Sequence, residues 1–146
     1  MSNYDSRECR QLRATHARLD REVHEATLAT SHARNELIEP KREFERLQDE
    51  VRRYEDASLG AAIPTGAEDP EDRRRRARLG RRMSPGAIVY MEVVLSRLRS
   101  ELRRAREVYE RAREKVREAE DRLRKSEYHR DYAREQIDRL GCFDRF

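Results

Sequence analysis

Apolar residues recur with an alternating spacing of three and four along residues 9–58 and again along residues 88–140. They fill 25 of the 31 positions at this spacing but only 13 of the 72 positions between them, and the spacing never slips within either segment. A narrow apolar seam with a period of 3.5 residues, flanked by charges, is typical of a coiled coil. The pattern predicts two long helices and argues against a disordered chain, which a charged content of 44% would otherwise suggest.

Glycine and proline mark the ends of these segments, because both are costly inside a helix. Ser84 followed by Pro85 predicts a capped helix start. Gly60 and Gly141 can adopt the left-handed conformation that closes a helix. We therefore predict one domain, residues 1–146, with helices at 6–58 and 85–140, a tip segment at 59–84 and a short tail at 141–146.

Two features interrupt this simple plan. Within the tip segment, residues 69–72 are mostly acidic and are followed by a run of arginines, an order that matches a helix dipole and predicts a short helix. Pro40 lies inside the first long helix, where it removes one backbone hydrogen bond and clashes with the preceding turn. A kink is therefore predicted near residues 36–40.

One alignment of the two segments suggests how they pair. If residues whose numbers add to about 146 face each other, large residues meet large ones, as with Phe44 and Leu102, and small ones meet small ones, as with Ala33 and Ala112. The polar positions His16 and Arg130 also coincide. The predicted fold is all-α: a long antiparallel two-helix coiled-coil hairpin within one chain. Parallel pairing of two chains is the competing geometry.

Charge is concentrated in one short stretch. The net charge is +4, and without the seven arginines of residues 73–82 it is −3. Directly after this stretch, residues 88–95 are apolar around most of the helix, so a two-helix hairpin covers only part of them. Either the tip segment, with Leu59, Ile63 and Leu79, folds back over this surface, or a partner covers it. The predicted partner-binding residues are Arg73, Arg74, Arg75, Arg76, Arg78, Arg81, Arg82, Val89, Tyr90, Val93 and Val94.

Cys9 and Cys142 are the two cysteines, and their spacing fits neither a disulfide framework nor a metal site. We predict that they lie at the same end of the hairpin as free thiols, in an intracellular, by default cytoplasmic, compartment, with an organelle as the open alternative. No apolar run is long enough to span a bilayer, and the first 25 residues lack the features of a signal or transit peptide.

The sequence offers little for catalysis. His16, His24 and His32 are spaced by eight residues, whereas two metal ligands on adjacent helical turns are four apart. There is no Gly-rich phosphate loop and no HExxH motif. Neighbouring carboxylates on helices of this kind are typically solvated or paired with arginine. We therefore predict a protein that is not an enzyme, with no catalytic residues, cofactor or metal.

These features favour a structural or adaptor subunit that docks into a larger protein assembly, since a two-helix hairpin buries little surface of its own. The protein partner is expected to present an acidic surface, and self-association is an alternative. A nucleic-acid-binding hairpin that acts through the arginine-rich tip is a second interpretation. In its heptads and midpoint break the chain also resembles the stalk proteins of type III export ATPases, the FliJ and YscO type, and this resemblance implies a stalk role.

Overall fold

The computed structural model describes residues 6–61, 70, 71, 74 and 85–142. It contains two long helices, α1 over Arg7–Ala61 and α2 over Pro85–Leu140. The described residues form no strand, and the two helices pack against each other through their seams, so the predicted all-α helical hairpin is confirmed. Residues 70, 71 and 74 have helical conformation, and the rest of the predicted tip helix lies outside the described residues.

The outer ends of the hairpin are capped by local hydrogen bonds. The Ser6 hydroxyl accepts a hydrogen bond from the Cys9 backbone N–H at 3.1 Å, which satisfies a free donor in the first turn of α1. At the end of α2, Gly141 has φ of 64°, and the Cys142 N–H donates to the Ile137 carbonyl at 3.0 Å. This is the Schellman arrangement, and it confirms the predicted role of Gly141.

At the two helix ends that border the tip segment, one predicted boundary agrees with the structure and the other does not. Pro85 is the first residue of α2, as predicted. Gly60 was expected to close α1, but it lies within the helix, which continues to Ala61. The helix also runs without a break through Pro40. A proline can remain in a helix whose lost hydrogen bond is tolerated, so Pro40 does not end α1, and the kink stays a prediction.

The packing divides into two compact units. The terminal unit combines Met1–Leu37 with Arg111–Phe146, and the central unit is Ile38–Glu110. In the central unit, a buried cluster of Leu47, Val51, Leu95 and Leu98 joins the two helices. Each of these residues occupies a seam position of the sequence pattern. The aromatic rings of Phe44 and Tyr109, also seam residues, stack with their centroids 5.3 Å apart.

The seam of the terminal unit contains buried polar residues, Thr30 and Ser126. Thr30 is almost fully buried, and its hydroxyl donates a hydrogen bond to the Ala26 carbonyl at 2.8 Å. This bond satisfies the hydroxyl within its own helix, so a polar residue is tolerated where the heptad pattern calls for an apolar one. The other buried residues of this unit are Cys9, Leu19, Val23, Ala26, Ala33, Ser126, Ala133, Ile137 and Cys142.

The free-thiol prediction is wrong, because Cys9 and Cys142 form a disulfide with a Cα–Cα distance of 5.3 Å. The two residues do lie at the same end of the hairpin. Both are buried, 1% and 0% exposed, in a cluster with Ile137 and against Leu12. Cysteine spacing gives no hint of such a bond, since the residues are 133 positions apart in the sequence. The antiparallel pairing of the helices is what brings them together.

The predicted alignment of the helices is also wrong in detail. The numbers of paired residues add to 151 for Cys9 and Cys142, 153 for Phe44 and Tyr109, and 154 for Arg34 and Glu120, instead of 146. Similarly, Arg130 pairs with Asp20 and was expected opposite His16. Tyr109 occupies the same heptad position as Leu102, one heptad farther along α2, so the seam pattern fits both alignments. Matching residue size alone therefore shifted one helix by four to eight residues.

A cysteine crosslink should distinguish the two alignments. The Arg34–Glu120 ion pair, 3.1 Å long, places the turn that contains Ala33 against the turn that contains Ala119. In protein with both native cysteines replaced by serine, Ala33→Cys with Ala119→Cys should crosslink within one chain on mild oxidation. Ala33→Cys with Ala112→Cys should react far more slowly, because about 10 Å of helix rise separates positions 112 and 119. Faster closure of the 33–112 pair in non-reducing electrophoresis would contradict this alignment.

Candidate interaction surface

A patch of exposed apolar side chains lies near the start of α2. Val89, Tyr90 and Val93 are 59%, 69% and 63% exposed, and we call these three residues the outer patch. They lie on the side of α2 opposite the seam residues Met91 and Leu95, which are buried. The sequence correctly singles out this stretch, because its apolar residues continue around the helix instead of following the seam alone.

Val94 belongs to the core of the central unit and not to the outer patch. It is partly buried and packs against the cluster formed by Leu47, Val51, Leu95 and Leu98. The reason is its place in the heptad, directly before the seam residue Leu95, where a side chain lies along the edge of the helix–helix contact. Of the four valine and tyrosine residues predicted to bind a partner, three are thus available at the surface.

Two residues of the outer patch, Val89 and Val93, are part of a longer uncharged stripe that the sequence pattern did not reveal. Along the outward side of α2, the positions from residue 86 to residue 100 hold, in order, Gly86, Val89, Val93, Ser96 and Ser100. An open groove of about 710 Å³ follows most of this stripe and is also lined by Glu92, Arg97, Glu101 and Arg104. The signal was present in the sequence, since the equivalent outward positions that follow are Arg103, Glu107, Glu110 and Glu114.

Elsewhere the described surface carries many ion pairs. Arg46 contacts Glu43 at 2.6 Å and Glu50 at 2.8 Å, and Arg99 contacts Glu55 at 3.1 Å across the two helices. The hydrogen bond from Arg46, helped by its charge, lowers the pKa of Glu43 below its ordinary value. Exposed pairs of this kind contribute little stability each. Their opposite charges cancel locally, but their side chains are still charged. The stripe differs from this surface because it carries no charged side chain.

The arginine-rich stretch can be placed only in part. Arg74 is exposed, and the other six arginines of the predicted binding set, Arg73, Arg75, Arg76, Arg78, Arg81 and Arg82, lie outside the described residues or have no described side chain. The same holds for Leu59, Ile63 and Leu79, the side chains predicted to fold back onto α2. The partner-binding role of this stretch therefore stays a prediction.

Polar groups in the described part of the chain do not assemble into a metal-binding cluster of three or more histidine, cysteine or acidic residues. His16 is half-buried at its seam position. His32 lies 3.0 Å from Glu36 on the same exposed helix face. The absence of a catalytic site stays a prediction.

A second apolar surface lies in the terminal unit. Leu12 and Leu19 of α1 line an open groove of about 450 Å³ together with Tyr132 and Ala133 of α2. Tyr132 and the neighbouring Tyr128 are more than half exposed. This groove is bordered by Arg18, Glu22 and His129. Its lining is mostly apolar, and tyrosine, which combines an apolar ring with a polar hydroxyl, suits such a water-facing site.

The chain matches no family model, no curated protein and no solved structure in comparisons with known proteins. Neither helix, within its described residues, is long and apolar enough to cross a membrane. Any functional conclusion about this protein therefore depends on the geometry of its own surface.

Proposed function

We propose that this protein is a non-enzymatic coiled-coil subunit, structural or adaptor in role, that binds other protein in a larger assembly. The observation that carries the proposal is the outer patch. Val89, Tyr90 and Val93 expose large apolar side chains, whereas the outward positions that follow along α2 are Arg103, Glu107, Glu110 and Glu114. Exposed apolar surface bordered by polar residues is characteristic of protein interaction sites.

Among the described residues, the outer patch takes no part in the buried cluster of the central unit. Its side chains point away from the seam, and the cluster is formed by Leu47, Val51, Leu95 and Leu98. A charged residue at position 89 or 93 would satisfy the coiled-coil pattern equally well, as Arg103 and Glu107 do at equivalent positions farther along. Apolar residues where folding does not require them favour a role in binding.

The arginine-rich stretch supports a partner with an acidic surface. Seven arginines within ten residues create a local positive potential that can speed the approach of an acidic protein. The same charge favours a second candidate function, binding of a nucleic-acid phosphate backbone. Binding that falls steeply with added salt and does not require the outer patch would favour nucleic acid. Binding that depends on Val93 would favour protein.

The proposal predicts the effect of a charge in the outer patch. Val93→Asp should reduce capture of the natural partner by at least about tenfold, mainly through faster dissociation, because the substitution places a carboxylate in a desolvated contact. Helicity by circular dichroism should not change, since Val93 is exposed. Val108→Asp is the matched control, because Val108 is 50% exposed on the same helix but lies beyond the stripe.

Affinity purification with quantitative identification of the bound proteins is the measurement. A third variant, in which Arg74, Arg75 and Arg78 are all replaced by glutamate, tests the contribution of charge. If Val93→Asp and the arginine variant both retain the wild-type set of partners, the contact lies elsewhere and the proposed binding surface is wrong. Loss of nucleic acid in the arginine variant alone would favour the second candidate.

A further inference from the structure

We propose that the uncharged stripe of α2 binds the same stripe of a second copy, with the two α2 helices antiparallel. This inference rests on the proposed role of the outer patch as a protein-binding surface and names its occupant. The stripe consists of Gly86, Val89, Val93, Ser96 and Ser100.

The spacing of the stripe is that of a second coiled-coil seam. Val89, Val93, Ser96 and Ser100 follow one another at intervals of four, three and four residues, so they stay on one side of α2 for about 17 Å. The buried seam of the same helix lies on the opposite side, at Met91, Leu95 and Leu98. The small serine side chains allow a second helix to approach closely, and the valines provide apolar contact.

An antiparallel pair with its two-fold axis between residues 94 and 95 fits these side chains together. It places Val93 against Ser96 of the second copy and Val89 against Ser100, so every large residue of the stripe meets a small one. In a two-fold pair each contact occurs twice. The two valines and two serines of each copy therefore make four contacts across the pair, each between a valine and a serine.

The charges on either side of the stripe fit the same arrangement. In an antiparallel coiled coil, the residues that border the seam on one side of a helix face the residues that border it on the same side of the partner helix. Glu92 of one copy therefore lies beside Arg99 of the other. On the opposite flank, Tyr90 lies beside Arg97 of the other copy, where the guanidinium can stack on the phenol ring. Both Arg97 and Arg99 are exposed and already make ion pairs at the surface, with Glu101 and Glu55. Flexible arginines in such exposed pairs can turn toward a new partner at little cost.

A parallel pair fits less well. It also brings Glu92 beside Arg97 of the second copy, which is favourable. However, it places Arg99 beside Arg104 of the second copy, and this like-charge contact also occurs twice. The attractive and repulsive pairs then offset each other. The antiparallel pair keeps the attractive contacts and avoids the repulsive ones, so charge selects it.

The small contact area predicts a weak dimer. A single helix–helix contact over four turns falls below the roughly 1,200 Å² that standard protein interfaces bury. The expected dissociation constant is therefore on the order of micromolar. Sedimentation equilibrium of the full, disulfide-bonded chain between about 1 and about 200 µM should show a monomer–dimer equilibrium, which light scattering can check.

Four variants test the contact. Val93→Asp should abolish the dimer over this concentration range, whereas Val108→Asp should leave it unchanged. Glu92→Arg should weaken it by about three- to tenfold, because it faces Arg99 of the second copy with like charge. Adding Arg99→Glu to Glu92→Arg should restore it by exchanging the two charges. A wild-type chain that stays monomeric, or a dimer that survives Val93→Asp, overturns the proposal.

Crosslinking tests the orientation, in protein with Cys9 and Cys142 replaced by serine. A Val93→Cys chain mixed with a Ser96→Cys chain should form the mixed disulfide faster than either chain crosslinks with itself. Faster self-crosslinking of Val93→Cys indicates a parallel pair and overturns the antiparallel arrangement. If the wild type is monomeric but Val93→Asp still loses its partner, the stripe binds a different protein, and only this inference fails. If Val93→Asp changes neither property, the proposed function fails with it.

Discussion

Replacing both Cys9 and Cys142 with serine should lower the free energy of unfolding by several kcal/mol, up to about 5 kcal/mol. The disulfide joins residues 133 positions apart, so it removes a large amount of conformational freedom from the unfolded chain. It also ties together the first turn of α1 and the second residue after α2, where helices otherwise fray. The terminal unit should lose more stability than the central unit.

Urea denaturation followed by circular dichroism at 222 nm measures this effect. Wild-type protein treated with a dithiol reductant under unfolding conditions should match the double serine variant, and the reductant should have no effect on that variant. Native wild-type protein should show no reactive thiol, since both sulfurs are buried and bonded to each other. Two titratable thiols in native protein, or a wild-type stability that does not respond to reductant, would contradict this prediction.

The disulfide also bears on where the protein works. The prediction of an intracellular, reducing compartment depended on unpaired cysteines. Disulfides persist mainly in oxidising compartments, because cytosolic thiol systems keep cysteines reduced. The Cys9–Cys142 bond therefore weighs against the cytoplasmic default, although the compartment itself stays a prediction. The same bond would make hairpin stability dependent on the redox conditions around the protein.

The helices could be predicted from sequence because their signals are local and repeated. Each heptad adds independent support for the seam, so occasional polar residues such as Thr30 and Ser126 do not hide the pattern. The end of α2 was also predictable, since a glycine directly after the last seam residue is a strong signal for helix closure. The end of α1 was not, because Gly60 has good helix formers on both sides and lies beyond the last seam position.

The disulfide and the alignment of the helices depend on contacts between distant residues, and sequence alone constrains these weakly. Several alignments of two regular heptad patterns bury similar apolar surface, and they differ by whole helical turns. Matching Phe44 with Leu102 was reasonable by size, yet the stacking of Phe44 on Tyr109 satisfies the same seam. Had the cysteines been assumed to pair, Cys9 and Cys142 would have pointed to the correct alignment.

Only part of the candidate surface could be predicted from the sequence, namely the part that depends on local residue pattern. The apolar excess at Val89, Tyr90 and Val93 is a local property of the sequence, and the structure places all three at the surface. Val94 differs from them because it is partly buried at the edge of the seam, and its predicted role in partner binding stays a prediction. The serine part of the stripe was overlooked because serines carry no apolar signal. They become informative only when the outward positions are compared along the whole of α2.

Placing a carboxylate at position 47 should have the largest effect of any single substitution in the central unit. Leu47 is 3% exposed, which makes it the least exposed residue of the cluster with Val51, Leu95 and Leu98. Leu47→Asp removes about 2–5 kcal/mol of apolar packing and adds the cost of an unpaired buried charge. Since small domains have a total stability of only about 5–15 kcal/mol, the central unit should lose most of its helicity.

Leu28→Asp is the matched control, because it makes the same chemical change in the middle of the same helix. Leu28 is 58% exposed, so its carboxylate stays in water. Both substitutions lower helix propensity equally, by less than about 1 kcal/mol, and this shared cost cancels in the comparison. The difference between their urea midpoints therefore isolates the burial of residue 47. Equal losses of stability from the two variants would mean that Leu47 does not lie between the helices, and the packing of the central unit would need to be revised.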